Sequence, residues 1–320
     1  MGRAKRIPYG VSDFIDIIER NQYYVDKTMY IPKLEDEPDA LFFIRPRRFG
    51  KSLFISMLRA YYDIKRKDKF DKLFGNLWIG SHPTENQGKY QVLFLDFSKI
   101  GGSIDQLEEN FNAYCNECID SFIETYQEYY PERVVESVLK AKTAARKLNA
   151  IGIAAEKKNL PLYLIVDEYD NFTNVVLNEQ GEEVYTALTH ASGFYREIFK
   201  VFKGMFSKIF MTGVSPVTLD DLTSGYNIAE ILTLEPNFLN MLVFTYEETE
   251  TYLRYVLDKY STGQERFDEI WQLIVSNYDG YRFRPNGDRL FNATILTYFF
   301  KKFAANAGSI PDELVDENLR

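Results

Sequence analysis

Histidine and cysteine are scarce in this sequence, with two of each among 320 residues. The cysteines stand as Cys115-x-x-Cys118, and a zinc site built on them would need a second ligand pair, for which only His82 and His190 remain. The surrounding segment, SIDQLEENFNAYCNECIDSFIETY, places Ile104, Leu107, Phe111, Cys118 and Phe122 at helical spacing. The pair is therefore expected to pack in a helix core, with a redox or metal role as the alternative. Two cysteines also fit a reducing compartment. Long apolar runs are missing too: none approaches the roughly 18 residues a membrane helix needs. The N-terminus MGRAKRIPYG has positive charge with no apolar core behind it, which excludes a secretory signal. Arg6 stands where a myristoylation signal requires Ser or Thr. The expectation is a cytoplasmic protein. Positive charge is in deficit, at 38 Lys and Arg against 47 Asp and Glu, a net charge of −9. That balance excludes a protein that coats nucleic acid with its whole surface but leaves room for a local basic groove. What positive charge there is clusters in RPRR (45–48) and KRKDK (65–69), the latter read as a solvated helix end.

The composition that remains, 45% hydrophobic and 27% charged, is that of an ordinary globular chain with enough length for one large domain or two smaller ones. Four short, near-continuous apolar runs have the pattern of strands covered on both faces: ALFFI (40–44), YQVLFLDFS (90–98), LPLYLIVDEYD (160–170) and SKIFMTGVS (207–215). Helical patterns lie between them, in KSLFISMLRAYYDI, in the cysteine-bearing segment and in EEVYTALTHASGFYREIFKVFKGM. Such alternation predicts an α/β fold with a mostly parallel sheet, whose ligands bind at the carboxyl ends of the strands. After residue 236 only helices are expected, the first opened by a capping box from Thr245 to Glu248, with the turn YDGYRFRPNGD (278–288) between later ones. The domain expectation is an N-terminal extension packed on the core (1–39), a core that holds the four strands (40–235) and a helical, lid-like subdomain (236–320). The final stretch GSIPDELVDENLR has no obvious closing element, as if the chain were a piece of a longer one.

The first strand runs into IRPRRFGKS (44–52), which ends like a phosphate-binding loop, G-x-x-x-x-G-K-[ST], but has Arg45 where the first glycine belongs. The strand before it and the amphipathic helix after it are the context such a loop requires. Backbone N–H groups from Arg47, Arg48, Phe49, Gly50, Lys51, Ser52 and Leu53 would face phosphate oxygens at a helix start. Lys51 would reach the β- and γ-phosphates and the Ser52 hydroxyl would ligate Mg²⁺, with Arg45, Arg47 and Arg48 beside the anion. The third strand ends in Asp167-Glu168, the arrangement in which the Asp holds Mg²⁺ and the Glu polarises the attacking water. A strand is then expected between the loop strand and the acidic strand. Weaker candidates are Thr212 or Ser215 as a γ-phosphate sensor, Asp96 at the end of the second strand, and Arg282 or Arg284 for transition-state charge. Tyr24, Asp26 and Lys27 are candidates for base or ribose contact, or belong to the core.

IPYGVSDF, YYVDKT, FFIRPRRFGKSLFISML, VLFLDFS, LIVDEYDNF, FMTGVSPVTLDDLTSG and YDGYRF resemble, in that order, the bacterial AAA-ATPase-like family, over about residues 7–285. RPRRFGKS is the usual loop in that family, so Arg45 is a family trait. The resemblance implies a P-loop ATPase core related to the signal-transduction ATPases with numerous domains. It also implies a restriction-like nuclease domain beyond Arg320 in many members, hence no nuclease activity for this chain. The expected function is an ATP- and Mg²⁺-dependent switch with Lys51 and Glu168 as its catalytic residues. Partners would be protein or nucleic acid met through the following domain, and not a membrane. The alternative is a scaffold or adaptor whose degenerate loop holds nucleotide weakly. A small-molecule kinase ranks below both.

Overall fold

All four apolar runs are strands in the computed structural model, which describes residues 4–101, 106–171, 176, 194–216, 229–260, 263–285 and 287–316. They are β1 (Ala40–Ile44), β2 (Gln91–Asp96), β3 (Leu162–Asp167) and β4 (Lys208–Gly213). A fifth strand, β5 (Ala229–Ile231), was not expected, because three residues carry no periodic signal of their own. The order is β2-β3-β4-β1-β5 and every neighbouring pair is parallel. β4 thus lies between the loop strand β1 and the acidic strand β3, as the spacing of the motifs predicts. Register brings the functional ends level: Ile44 stands opposite Gly213, Phe43 opposite Thr212, and Asp96 opposite Asp167.

Alternation along the strands sends side chains to two apolar layers. Phe42, Leu93, Leu95, Leu164, Val166, Ile209 and Met211 face one layer, shared with the helices Leu107–Thr125, Ala144–Lys157 and Phe194–Met205. Leu41, Phe43, Tyr163, Ile165 and Phe210 face the other, shared with the loop helix Lys51–Tyr62 and with Phe14, Ile31 and Phe74. The sheet is therefore flanked by helices on both faces, an α/β fold with a parallel sheet. Among the described residues three α-helices separate β2 from β3 where one was expected, since Glu132–Lys140 and Ala144–Lys157 follow the cysteine-bearing helix. Cys115 is buried in that core and Cys118 lies half-buried at its edge; both are free thiols, and burial pushes both upward in pKa, so the packing role holds. Ile104 and His190, and the first part of the helix expected over 182–205, lie outside the described residues.

A third apolar cluster joins the helices Tyr246–Tyr260, Phe267–Tyr278 and Ala293–Ala305. The capping box forms: Thr245 N–H donates to Glu248 Oε2 at 2.9 Å, and Glu248 N–H to Thr245 Oγ1 at 3.2 Å. One expectation fails here. The turn at 278–288 is not a simple break between helices but part of a two-stranded antiparallel hairpin, Asp279–Tyr281 with Leu290–Phe291, too short to show alternation in sequence. The N-terminal segment bridges the clusters by period two, with Tyr23 and Val25 packed on the third and Tyr24 on the second. Among the described residues no helix is long and apolar enough to cross a membrane.

Candidate functional site

The loop between β1 and its helix takes its left-handed steps at Arg48 (φ 68°) and Gly50 (φ 84°) and at no other position. The place of the first glycine, Arg45, needs no positive φ, so a side chain is tolerated there. Gly50 is the N-cap of the helix, and no side chain caps it. The N–H groups of the first turn, at the positive end of the helix dipole, are thereby left for another acceptor.

Lys51 is buried, and its Nζ donates to the carbonyls of Arg45 (3.0 Å) and Pro46 (3.1 Å). Burial lowers its pKa, while Glu168, Asp167 and Asp170 pull the other way. Ser52 Oγ donates to Asp167 Oδ2 at 2.7 Å, joining the loop helix to the end of β3. The other oxygen of Asp167 accepts from Thr212 Oγ1 (2.6 Å) and from the N–H of Glu168 (3.0 Å). Glu168 leaves the strand in the left-handed region (φ 51°) and is half-buried. Burial raises its pKa, Asp167 and Asp170 add to the rise, and Lys51 and Arg47 oppose it. A carboxylate and a hydroxyl on one oxygen-rich spot suit Mg²⁺, which takes its remaining ligands from phosphate and water. The residues present therefore fit the cation the motifs call for.

The end of β4 is held against this cluster by two residues the sequence reading passed over. Asp170 is fully buried, and its carboxylate accepts the N–H groups of Val214 (3.1 Å to each oxygen) and Ser215 (2.5 Å). Tyr169 donates its hydroxyl to the carbonyl of Ser215 at 2.7 Å. A Cβ on Gly213 would stand 2.4 Å from the Tyr169 ring and 2.6 Å from Asp170 Oδ1, so only glycine permits this closeness. The signal was in DEYD, whose last residue repeats the acid three positions on. Of the two sensor candidates, Thr212 reaches Asp167, whereas Ser215 serves through its backbone. Asp96, although opposite Asp167, spends one oxygen on its own turn, accepting from Ser98 N–H and Oγ.

Arg45 is not beside an anion. Its side chain is 1% exposed and turns away from the loop mouth, with Nη1 donating to the carbonyls of Ile44 (3.0 Å) and Thr233 (2.7 Å). Desolvation pushes its pKa down to about 10. The expectation failed because two of the carbonyls that receive Arg45, those of Thr233 and Leu239, lie 188 and 194 positions away in sequence, where no local pattern could point to them. Arg47 and Arg48 are exposed, as a phosphate neighbourhood requires, and Arg47 reaches Asn171 Oδ1 at 3.5 Å. The Phe49 ring is buried with Val243 and Leu290, which leaves its backbone for any ligand. Arg282 and Arg284 are exposed on either side of Phe283, which packs near Phe49.

A cavity of about 330 Å³ opens beside the loop. Its walls are loop residues Arg48–Leu53 with Glu168, the N-terminal stretch Pro8–Ser12 with Tyr23 and Tyr24, and Leu242, Phe244, Tyr252, Thr294 and Thr297 from the C-terminal part. Tyr24 and Lys27 line it, as a role in base or ribose contact requires, but Lys27 is occupied, paired with Glu248 (2.6 Å) and the carbonyl of Asn240 (3.0 Å). Asp26 is not a wall residue; it holds Thr28 N–H (2.8 Å) and Trp78 N–H (2.6 Å). Pro8–Ser12, Thr294 and Thr297 were not foreseen, because only the tertiary fold brings both ends of the chain to the loop.

The model of the family described as predicted AAA-ATPase matches residues 8–223. A curated relative from Azotobacter chroococcum mcd 1, an uncharacterized protein in the vnfD 5′ region, is 25% identical over 318 residues. The alignment takes in 93% of this chain and 52% of the relative, so the chain spans about half the relative's length. Among solved structures, the ORC2 protein of Aeropyrum pernix in its ADPNP-ADP complexes aligns with 90% of this chain and 63% of its own, at 13% identity and a TM-score of 0.42.

Proposed function

This chain belongs to the predicted AAA-ATPase family, and on that premise we propose that it binds and hydrolyses Mg·ATP as a nucleotide-dependent switch. The observation that carries this is the contact of Ser52 Oγ with Asp167 at 2.7 Å, which joins loop and acidic strand across 115 positions of sequence. On this proposal the N–H groups of Arg47–Leu53 hold the phosphates and Arg47 and Arg48 add positive charge. Lys51 leaves the carbonyls of Arg45 and Pro46 for the β- and γ-phosphate oxygens. Ser52 and Asp167 would hold Mg²⁺, which would supply neutralisation of negative charge on the phosphates. Glu168, with a pKa raised toward the working range of a general base, accepts the proton of the attacking water. Thr212, fixed on Asp167, stands where it can register the γ-phosphate.

The cavity beside the loop offers apolar and aromatic walls for the nucleoside, and it draws on all three proposed parts of the chain, 1–39, 40–235 and 236–320. Nucleotide in that position would bridge them, which is what a switch needs. One observation favours the adaptor reading: Lys51 already has two acceptors in its own loop, and phosphate must compete with both. Glu168→Gln separates the two readings. A hydrolase is expected to keep nucleotide binding in this variant while single-turnover phosphate release falls at least a hundredfold, within the range for a lost general base. Equal release from variant and parent would remove Glu168 from the chemistry.

A further inference from the structure

Arg45 occupies the first-glycine place of the loop, yet everything its side chain touches belongs to the sheet or to later parts of the chain. Nη1 donates to Ile44 O and Thr233 O, Nη2 lies 3.4 Å from Leu239 O, and Nε is buried without a partner. The guanidinium carbon also lies over two rings, 4.4 Å from the centroid of Phe43 in β1 and 3.9 Å from that of Phe283 in the C-terminal hairpin. Phe283 also lies 6.1 Å from Phe49, and Tyr281 meets the same Phe49 ring edge-on at 4.8 Å. The hairpin therefore grips the loop at both of its ends. At the same time the carbonyl of Arg45 is one of the two acceptors of Lys51.

We infer that Arg45 is a positioning residue for Lys51, and that Phe283 couples the loop to the hairpin so that uptake of phosphate by the one is felt by the other. The inference rests on the nucleotide reading above. A guanidinium held by two aromatic rings and by the carbonyls of Ile44 and Thr233 has little freedom to turn, so it restrains the peptide unit that carries its carbonyl. When Lys51 exchanges the Arg45 and Pro46 carbonyls for phosphate, that peptide unit loses its donor and resettles. Packed contacts of this kind shift between discrete arrangements and do not stretch. Phe283, in van der Waals contact with the side chain of that same residue, must follow.

Hydrogen exchange of the full chain, with and without saturating Mg·ATP, tests this together with calorimetric affinities for Phe283→Leu, Phe283→Tyr and Arg45→Lys. In the parent, nucleotide is expected to slow exchange in residues 45–54 and also in 279–285. In Phe283→Leu the loop response persists, the hairpin response is lost and affinity falls about tenfold, the worth of a desolvated cation–aromatic contact. Phe283→Tyr, which keeps the ring face, restores both, and Arg45→Lys, which lacks the planar fork, behaves as Phe283→Leu. A loop protected while the hairpin stays silent, or a hairpin response intact in Phe283→Leu, overturns the coupling and leaves the nucleotide reading standing. A parent whose loop shows no response removes both. Phe283 is half-buried on a surface hairpin, so its variants are expected to fold, and equal loss of protection with and without nucleotide would mark its role as merely structural.

Discussion

Arg48 holds a left-handed conformation that suits glycine, whereas position 45, the place of the first glycine, does not. A non-glycine residue in this region costs on the order of 1 kcal/mol. Arg48→Gly is therefore expected to raise the thermal midpoint by a few degrees and, because a cationic wall of the cavity is lost, to weaken Mg·ATP binding. Melting curves and titrations of the same preparation read the two effects separately; a lower midpoint would mean that the Arg48 side chain stabilises the loop by contacts. Glu168 gives a pH signature. Its folded pKa is raised, so the stability associated with its protonated form is complete below its ordinary value and is lost as pH rises through the folded value. Glu168→Gln removes that loss. The variant should melt above the parent near neutral pH, with the gap closing below about pH 4. A gap that instead widens toward acid would show a carboxylate stabilised by Lys51, not strained by burial.

At the scale of elements, β3 and β4 are pinned at their carboxyl ends by Asp170, Tyr169 and the bare backbone of Gly213. Gly213→Ala forces a methyl to within 2.4 Å of the Tyr169 ring. Overpacking of this sort costs about 1–3 kcal/mol, and it should also shift Thr212 from Asp167, so stability and nucleotide turnover fall together. Denaturant titration beside an ATPase assay checks this, and full stability in the variant would show that the ends of the two strands can part freely. The elements differed in how legible they were. Strands β1, β3 and β4 could be read because burial on both faces gives an unbroken apolar run, as in ALFFI and LYLIV. The edge strand β2 alternates buried and half-buried residues, and was legible only because the half-buried Val92 and Phe94 are apolar too. The segment AEI of β5 and the residue pairs of the hairpin are too short for any period to appear. Asp170 was hidden for another reason: its partners are backbone N–H groups, which every sequence possesses.

For the whole molecule, the two ends of the chain meet at the loop. Tyr23 stacks on Tyr252 at 4.0 Å between ring centroids, Lys27 pairs with Glu248, and Pro8–Ser12 line the same cavity as Thr294 and Thr297. That Lys51, Ser52, Asp167 and Glu168 would lie close together was legible, because each has a fixed place just after an apolar strand, the first two after β1 and the last two at the end of β3. The cavity wall was not, because it depends on how three parts of the chain pack. The destination of Arg45 belongs with the wall: the guanidinium reads as a phosphate ligand by its neighbours in sequence and as a structural clamp by its neighbours in space.

The central claim is that this loop holds nucleotide through Lys51. Titration calorimetry of the chain with Mg·ATP, run beside a Lys51→Ala variant whose fold is verified by circular dichroism, tests it most directly. Saturable binding by the parent, absent from the variant at the same concentrations, is the predicted result. Equal binding by both proteins, or none by the parent, would contradict it.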